Sequence, residues 1–218
     1  MKKICLLLLI ILIPLSVKGE DLSLASNAKS SILIEATTGK IIYEKNSHEK
    51  LAPASMTKMM SLLLVMEAIE NNIITWNQKI TVSSNASSMG GSQILLETGE
   101  EMSVEDLVKG VSIASGNDAI VALAEAIAGS EENFVSMMNE KAKELGLKDT
   151  NFKNCHGLDE EGHYSSAYDM VMIAKELVKH EKILEFSSIY DTYLRENTNR
   201  KIWLVNTNNI VFKFYNNS

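Results

Sequence analysis

The chain contains 218 residues, of which 45% are hydrophobic and 22% are charged, and its formal net charge is −7. A chain of this length and apolar content can form one globular domain with a substantial core. The acidic balance argues against nucleic acid as a partner, because phosphate binding requires clustered positive charge.

The N-terminal segment has the composition of a secretory signal peptide. Two lysines follow Met1, an apolar run extends over residues 4–15, and the small residue Gly19 comes shortly after it. The run is short for a membrane span, whereas this order of features is typical of a signal peptide. We therefore predict residues 1–19 to be removed on export, leaving an extracytoplasmic protein. Three lysines and no acid leave with that segment, so the net charge changes from −7 to −10. An uncleaved segment is the alternative, and membrane association is expected only through it.

Two short β-rich runs come next in the chain. Residues 31–36 and 40–45 flank Thr37-Thr38-Gly39 and predict a β-hairpin. The following apolar segment, residues 55–71, contains neither Pro nor Gly and is entered through Pro53. This pattern predicts a buried helix, which we expect to pack beneath the hairpin.

Ser55 and Lys58 stand at the start of that helix. Residues three apart share a helix face, so the hydroxyl and the amine are predicted to meet. A serine becomes a nucleophile when a neighbouring base takes its proton, and an amine serves as that base when burial lowers its pKa. The N–H groups at a helix start also suit a developing oxyanion. The pair therefore predicts a nucleophile and its base, while a solvated helix start remains the alternative.

The middle of the chain carries a second candidate element. Residues 72–100 combine short extended runs with turns rich in Ser and Gly, and helices are predicted over residues 103–112 and 117–127. Ser115-Gly116-Asn117 connects the two helices, and its glycine permits a tight turn. Such a turn would direct a hydroxyl and a carboxamide into one cleft. Serine enzymes with a Ser-x-x-Lys dyad use a second element of this kind to relay protons and to hold the substrate amide.

The last part of the chain is predicted to contain two helices and a tail. Residues 131–145 place apolar side chains on one side and are followed by Gly146. Ser166 and Asp169 are predicted to cap a further helix that extends to about residue 179. We expect the tail to alternate short β-like runs with Asn-rich turns.

Cys155 and the histidines suggest other chemistries. Cys155 would be the single cysteine of the mature chain, which excludes an internal disulfide, and its neighbour His156 offers a cysteine nucleophile as an alternative. The four histidines lack metal-ligand spacing, so we predict no metal site and no cofactor. Instead, His156 and His163 are expected to hold loops around the cleft by hydrogen bonds.

Five segments, in the same order, resemble the D-alanyl-D-alanine carboxypeptidases, the serine-type low-molecular-mass penicillin-binding proteins. The segments are residues 53–58, 89–92, 113–119, 156–159 and 163–169. The resemblance extends from about Ala28 to about Asn209. It implies an α+β fold like that of the penicillin-binding proteins and β-lactamases, with an antiparallel sheet and a helical cluster.

The resemblance also implies roles for individual residues. Ser55 corresponds to the acylated nucleophile, Lys58 to its base and Ser115 to a further catalytic group. Substrate-binding roles are implied for Asn117, Ser92 and His156. The implied activity is removal of the terminal D-alanine from peptidoglycan stem peptides that end in D-Ala-D-Ala, with β-lactams as inhibitors.

The sequence departs from this family in one respect. The family carries Lys-Thr-Gly or Lys-Ser-Gly on a strand that walls the cleft and holds the substrate carboxylate, and this sequence contains neither tripeptide. Lys213 is followed by Phe214-Tyr215 and is not assigned that role. We therefore expect residues 20–218 to be an incomplete catalytic domain, truncated before this motif and missing the C-terminal sheet strands. The alternatives are a non-catalytic remnant that binds wall peptides or β-lactams weakly, and a serine β-lactamase.

Overall fold

The computed structural model describes the backbone of residues 24–215 and the side chains of residues 24–212, so the predicted signal peptide lies outside the described residues. The strands are β1 Ser31–Ile34, β2 Ile41–Lys45, β3 Lys79–Thr81, β4 Glu101–Ser103, β5 Asp191–Leu194 and β6 Ile202–Val205. The helices are α1 Thr57–Glu70, α2 Ser84–Ser87, α3 Val104–Ala114, α4 Asn117–Ala128, α5 Glu131–Glu144, α6 Ala167–Leu177, α7 Glu181–Ser187 and α8 Asn209–Tyr215.

Over the described residues, the strands form three separate antiparallel pairs, β1 with β2, β3 with β4 and β5 with β6. The first pair is the predicted hairpin, in which Ser31 lies opposite Lys45. The Glu35 carboxylate closes its turn by accepting hydrogen bonds from the N–H groups of Thr37 and Thr38. Together with a hydrogen bond from the Thr38 hydroxyl, which contributes most, these bonds lower the pKa of Glu35 to about 2. The predicted hairpin is confirmed.

Helix α1 lies at the centre of the helical cluster. Apolar side chains on all its sides are buried, among them Met60, Leu63 and Val65, because α4, α5 and α6 surround it. A helix that is apolar all round is expected to be buried in this way. The predicted buried helix is therefore confirmed, but it begins at Thr57, because Ala54–Met56 forms a 3-10 turn that contains Ser55.

Serine side chains begin three of the predicted helices. Ser103, Ser130 and Ser166 each accept a hydrogen bond from the N–H group three residues further along. This contact satisfies one of the backbone donors that a helix start leaves unpaired. The helices predicted from these positions, α3, α5 and α6, are confirmed to within a few residues.

Three features of the fold differ from the sequence prediction. The hairpin lies against α6 through β1, and not chiefly over α1 as expected, because α6 intervenes on that side of the cluster. The short helices α2 and α7 were not predicted. The Asn-rich tail was predicted as turns around β-like runs, yet Asn209–Tyr215 forms α8. Asn208 begins that helix by accepting a hydrogen bond from the Ile210 N–H group at 3.0 Å, and Asn is among the preferred residues at helix starts.

Candidate active site

The structure brings Ser55 and Lys58 together as the sequence predicted. Ser55 is exposed in the 3-10 turn, whereas Lys58 is only 3% exposed in the first turn of α1. The Lys58 Nζ atom donates hydrogen bonds to Ser55 Oγ at 3.1 Å and to the His156 carbonyl oxygen at 2.7 Å. A buried amine thus lies directly beside a hydroxyl that solvent and a ligand can reach.

Burial changes the acid–base properties of Lys58. Loss of hydration disfavours the charged ammonium and lowers the pKa of Lys58 to about 8. The neutral amine is therefore available at mildly alkaline pH, where an exposed lysine would still be protonated. Lys58 can consequently take a proton from Ser55.

The turn that carries Ser55 is held in a constrained conformation. Ala54 has a φ of 48°, in the left-handed region that non-glycine residues rarely adopt. Gly157, with a φ of 89°, packs so closely on this turn that a Cβ atom there would lie 1.9 Å from the Ala54 carbonyl oxygen. The segment 153–158, which we call the His156 loop, therefore contacts both the turn that carries Ser55 and the side chain of Lys58.

Ser115 and Asn117 lie on the link between α3 and α4. The left-handed residue of this link is Ser115, with a φ of 58°, and not Gly116, where the turn was predicted. Gly116 is instead needed for close packing, because a Cβ atom there would lie 3.1 Å from Asp118 Oδ1 and 3.3 Å from Ile94 Cγ2. Ser115 remains partly exposed, while Asn117 is the buried first residue of α4.

The Asn117 side chain meets the segment 89–96, which we call the Gly90 loop. Asn117 Nδ2 donates to the Gly90 carbonyl oxygen at 2.7 Å, and the Asn117 N–H group donates to the Ser92 carbonyl oxygen at 2.7 Å. Asn117 Oδ1 is buried and has no hydrogen-bond partner among the described residues. A ligand N–H group is a suitable partner for it, since buried acceptors are usually paired. Ser92 itself is exposed.

The His156 loop, next to Ser55 and Lys58, contacts the Gly90 loop, next to Asn117. Leu158, at the end of the His156 loop, approaches Gly91, where a Cβ atom would lie 3.6 Å from Leu158 Cδ2. The His156 loop that supplies the acceptor of Lys58 therefore also borders the loop that contacts Asn117. The sequence-predicted residues thus form two contact groups, one around Ser55 and Lys58 and one around Asn117 and Ser92.

Asp118 binds the backbone of the Gly90 loop, a role that was not predicted from the sequence. The buried carboxylate of Asp118 accepts hydrogen bonds from the N–H groups of Ile94 and Leu96, each at 3.0 Å. Bonds of this kind to a charged acceptor are stronger than neutral ones. Asp118 lies in the segment 113–119, one of the five segments that carry the family resemblance. Its position in the first turn of α4 was the only local signal of this role.

Two arginines also bind the backbone of the Gly90 loop, and these contacts were not predicted. Arg195, whose side chain is 7% exposed, pairs with Glu100 and donates to the Ile94 carbonyl oxygen at 3.1 Å. Arg200 donates to the Leu95 carbonyl oxygen at 2.7 Å. These contacts join residues about a hundred positions apart, so no local pattern in the sequence reveals them.

The side chain of His156, for which substrate binding was predicted, makes its contacts within the protein. Its side chain is buried, its Nδ1 atom accepts a hydrogen bond from the Leu158 N–H group at 3.1 Å, and its Nε2 atom faces Glu131 at 3.4 Å. Both ring nitrogens are thus engaged within the protein. The direct contribution of His156 to the site is its carbonyl oxygen, which contacts Lys58.

The geometry does not favour Cys155 as an alternative nucleophile. Cys155 is fully buried, and burial raises the pKa of its thiol well above the usual range, which disfavours the nucleophilic thiolate. In the part of the chain that the structure describes, no group of three His, Cys, Asp or Glu side chains is arranged to hold a metal ion. Of the helices in residues 24–215, none has the length and apolar character needed to cross a membrane.

Known proteins resemble this chain along nearly its whole length. The family profile described as D-alanyl-D-alanine carboxypeptidase matches residues 17–218. The chain is 62% identical over 192 residues to the D-alanyl-D-alanine carboxypeptidase DacF of Bacillus subtilis, which covers 88% of this chain and 49% of that protein. It is 39% identical over 195 residues to the D-alanyl-D-alanine carboxypeptidase DacC of Escherichia coli, a match that covers 84% of this chain and 48% of that protein. The chain therefore spans about half the length of these curated relatives.

Solved structures share the fold. Penicillin binding protein 5 from Haemophilus influenzae superposes with a TM-score of 0.80 at 33% identity, over 86% of this chain and 54% of that one. Penicillin binding protein 6B from Escherichia coli gives a TM-score of 0.79 at 37% identity, over 85% of this chain and 59% of that one. The predicted α+β fold of the penicillin-binding-protein type is confirmed.

Proposed function

The chain belongs to the D-alanyl-D-alanine carboxypeptidase family, and from this membership we propose that it removes the terminal D-alanine of peptidoglycan stem peptides through an acyl-enzyme at Ser55. The observation that carries the proposal is the 3.1 Å contact between Ser55 Oγ and the buried Nζ atom of Lys58. Stem peptides ending in D-Ala-D-Ala are the proposed substrates, and β-lactams are the proposed inhibitors.

In the proposed acylation step, the neutral amine of Lys58 removes the hydroxyl proton of Ser55. Ser55 Oγ attacks the carbonyl carbon between the two D-alanines and forms a tetrahedral intermediate. The C–N bond then breaks, and the departing nitrogen receives a proton from the Ser115 hydroxyl, which regains one from the Lys58 ammonium. The products are an ester at Ser55 and free D-alanine.

In the proposed second step, water attacks the Ser55 ester. Lys58 accepts a proton from the water, and Ser55 Oγ regains a proton as the shortened peptide leaves. Lys58 thus takes up one proton and returns it in each step, so the amine is neutral again at the end, as expected of a general acid–base catalyst.

The second contact group is proposed to hold the substrate. Asn117 contributes its buried Oδ1 atom, which has no hydrogen-bond partner among residues 24–212 and suits a substrate N–H group, and Ser92 lies exposed at the edge of the same site. His156 is assigned to the support of Lys58, because its ring nitrogens are occupied and its carbonyl oxygen contacts the amine. Binding by Asn117 and Ser92 would orient the scissile carbonyl toward Ser55 Oγ.

The test of this proposal is release of D-alanine from a peptide that ends in D-Ala-D-Ala. We expect release by the natural chain and none by Ser55→Ala. Covalent β-lactam labelling without D-alanine release would favour the alternative of a binding remnant. A β-lactam adduct that is hydrolysed faster than the peptide would favour a serine β-lactamase.

We further propose that residues 1–19 direct export, so that the site faces the cell wall. The basic start, the short apolar run and Gly19 support this. N-terminal sequencing of protein recovered from outside the cytoplasm tests it. A mature N-terminus at Glu20 is the expected result, and an intact Met1 on fully cytoplasmic protein would contradict it.

A further inference from the structure

Thr57 lies between Ser55 and Lys58 in sequence but faces the core. It is fully buried, and its Oγ1 atom lies 2.8 Å from Nε2 of His163, which is itself 6% exposed. The proposed mechanism uses neither residue. The two side chains are 106 positions apart in the chain, so the contact joins the nucleophile segment to a distant part of the fold.

The hydrogen bonds of His163 define which nitrogen carries its proton. Nδ1 lies 3.0 Å from the Lys153 N–H group and accepts its hydrogen bond, so Nδ1 is unprotonated. In the neutral ring Nε2 then carries the hydrogen and donates it to Thr57 Oγ1. Burial lowers the pKa of His163, which favours this neutral form. His163 is therefore a bridge from the backbone of Lys153 to the side chain of Thr57.

The bridge connects the same two segments that form the reactive pair. Lys153 opens the His156 loop, whose His156 carbonyl accepts a hydrogen bond from Lys58. Gly157 of that loop also packs beside Thr57, where a Cβ atom would lie 3.0 Å from Thr57 Oγ1. The His163–Thr57 hydrogen bond thus fixes the first turn of α1 against the loop that supplies the acceptor of Lys58.

We propose that His163 is a positioning residue that acts through Thr57 to hold Lys58 between Ser55 Oγ and the His156 carbonyl oxygen. The inference rests on the proposed function, since it assigns His163 a role in acylation at Ser55. Loss of the His163–Thr57 bond frees the first turn of α1 to move, and a displacement of about 1 Å at a reacting pair can cost about 100-fold in rate.

Two replacements of His163 separate this role from simple support of the loop. His163→Gln places an amide N–H near the position of Nε2 and keeps a donor for Thr57. His163→Asn places a carbonyl oxygen near the position of Nδ1 and keeps an acceptor for the Lys153 N–H group. We expect acylation of Ser55 by a fluorescent penicillin to slow about 10- to 100-fold in His163→Asn, with His163→Gln within about threefold of the natural chain. Equal rates in the two variants, or the reverse order, would overturn the inference.

Two variants of Thr57 test the same hydrogen bond from its other end. They keep the inference testable if the variants of His163 fail to fold. Thr57→Ser keeps the hydroxyl and is expected to acylate normally, whereas Thr57→Val removes it with little change of shape and should slow acylation as His163→Asn does. The double variant of Thr57→Val and His163→Asn should acylate no more slowly than Thr57→Val alone, because the two changes remove the same hydrogen bond. Additive losses would contradict action through Thr57. His48→Gln, at a side chain that is 62% exposed, is the control histidine.

A readout that needs no activity separates failure of this inference from failure of the proposed function. The titration of Lys58, followed by the NMR shift of its ¹³Cε atom, should have a midpoint near the pKa of about 8 in the natural chain. In Thr57→Val the midpoint should move toward the ordinary value of about 10.4 as water reaches the amine. Absence of Ser55 labelling in the natural chain would refute the proposed function alone. An unchanged Lys58 titration in Thr57→Val would refute the positioning role.

Discussion

At the scale of single residues, the proposed chemistry depends on the burial of Lys58. An exposed ammonium beside Ser55 would stay charged at neutral pH and would remove no proton. Burial destabilises that charge, and the His156 carbonyl oxygen fixes the position of Nζ at 2.7 Å. The reactivity of Ser55 is therefore set by the core around the base as much as by the serine itself.

We predict that acylation of Ser55 follows the deprotonation of Lys58. The rate should rise about tenfold per pH unit below pH 8 and level off above it, because only the neutral amine acts as a base. Labelling rates with a fluorescent penicillin at a series of pH values measure this dependence. A midpoint near the ordinary lysine value of about 10.4, or a rate that does not change with pH, would disagree with it.

Asn117 and Leu123 are predicted to respond oppositely to replacement by alanine. Asn117→Ala removes the contact with the Gly90 carbonyl and the buried Oδ1 atom that was proposed to accept a substrate N–H group. D-alanine release should therefore fall more than about tenfold, as expected when a substrate-orienting group is lost. Leu123 is fully buried on α4, and Leu123→Ala should lower the free energy of unfolding by about 2–5 kcal/mol. Thermal melting and D-alanine release are measured on both variants. If Asn117→Ala melts the fold and leaves acylation intact, Asn117 is structural.

Part of the site could be predicted from the sequence at this scale. The contact between Ser55 and Lys58 was predictable because residues three apart lie on the same face of a helical segment. The left-handed conformation of Ala54 was not predictable, since alanine carries no local preference for it and the packing of Gly157 accompanies it. The expectation that His156 holds a loop agrees with the contact between its ring and Leu158, whereas the contact with Glu131 joins distant parts of the sequence and was not predicted.

At the scale of elements, the His156 loop couples the two ends of the Ser55 segment. It contacts Lys58 through the His156 carbonyl oxygen and approaches the Ala54 carbonyl through Gly157. The Gly90 loop is fixed in a similar way, because Asp118 accepts from the Ile94 N–H group and Arg195 donates to the Ile94 carbonyl oxygen. Both loops are thus held at several points by buried polar groups, which suits walls of a site that must keep its geometry.

Gly157→Ala is predicted to disrupt the nucleophile turn. Its Cβ atom would lie 1.9 Å from the Ala54 carbonyl oxygen, so the loop or the turn must move, and acylation should fall about 100-fold if the displacement approaches 1 Å. Labelling rate and melting temperature are measured together. Gly146→Ala is the matched control, because Gly146 also has a positive φ, of 72°, but open space around it. Equal effects on labelling from the two variants would show that the contact with Ala54 is unimportant.

Helix boundaries were more predictable than loop contacts. The starts of α3, α5 and α6 follow from caps formed within four residues, and such signals are written in the local sequence. The contacts of Arg195 with Ile94 and of His163 with Thr57 depend on chain segments about a hundred residues apart. Short elements such as α7 and α8 carry too few residues for a clear helical period.

At the scale of the whole molecule, two buried histidines make the fold sensitive to acid. Burial lowers the pKa values of both His156 and His163. Below the ordinary histidine pKa of about 6.5, the unfolded chain therefore binds protons that the folded chain does not. Stability is fully present above that pH and is lost as the pH falls through the lowered folded values.

We predict that the free energy of unfolding, measured by urea denaturation, decreases as the pH is lowered from about 7.5 to about 5. The decrease should be smaller in His163→Gln, which removes one of the two titrating groups. A free energy of unfolding that stays constant or rises over this range would contradict the burial of these rings in neutral form.

The proposed activity depends on covalent chemistry at Ser55 with Lys58 as the base. The most direct measurement is incubation of the natural chain, Ser55→Ala and Lys58→Ala with a fluorescent penicillin, followed by mass spectrometry of the labelled peptide. We expect the adduct on Ser55 in the natural chain, none in Ser55→Ala, and labelling slowed at least about 1,000-fold in Lys58→Ala. An adduct on another residue, or equal labelling of Ser55→Ala, would contradict the account.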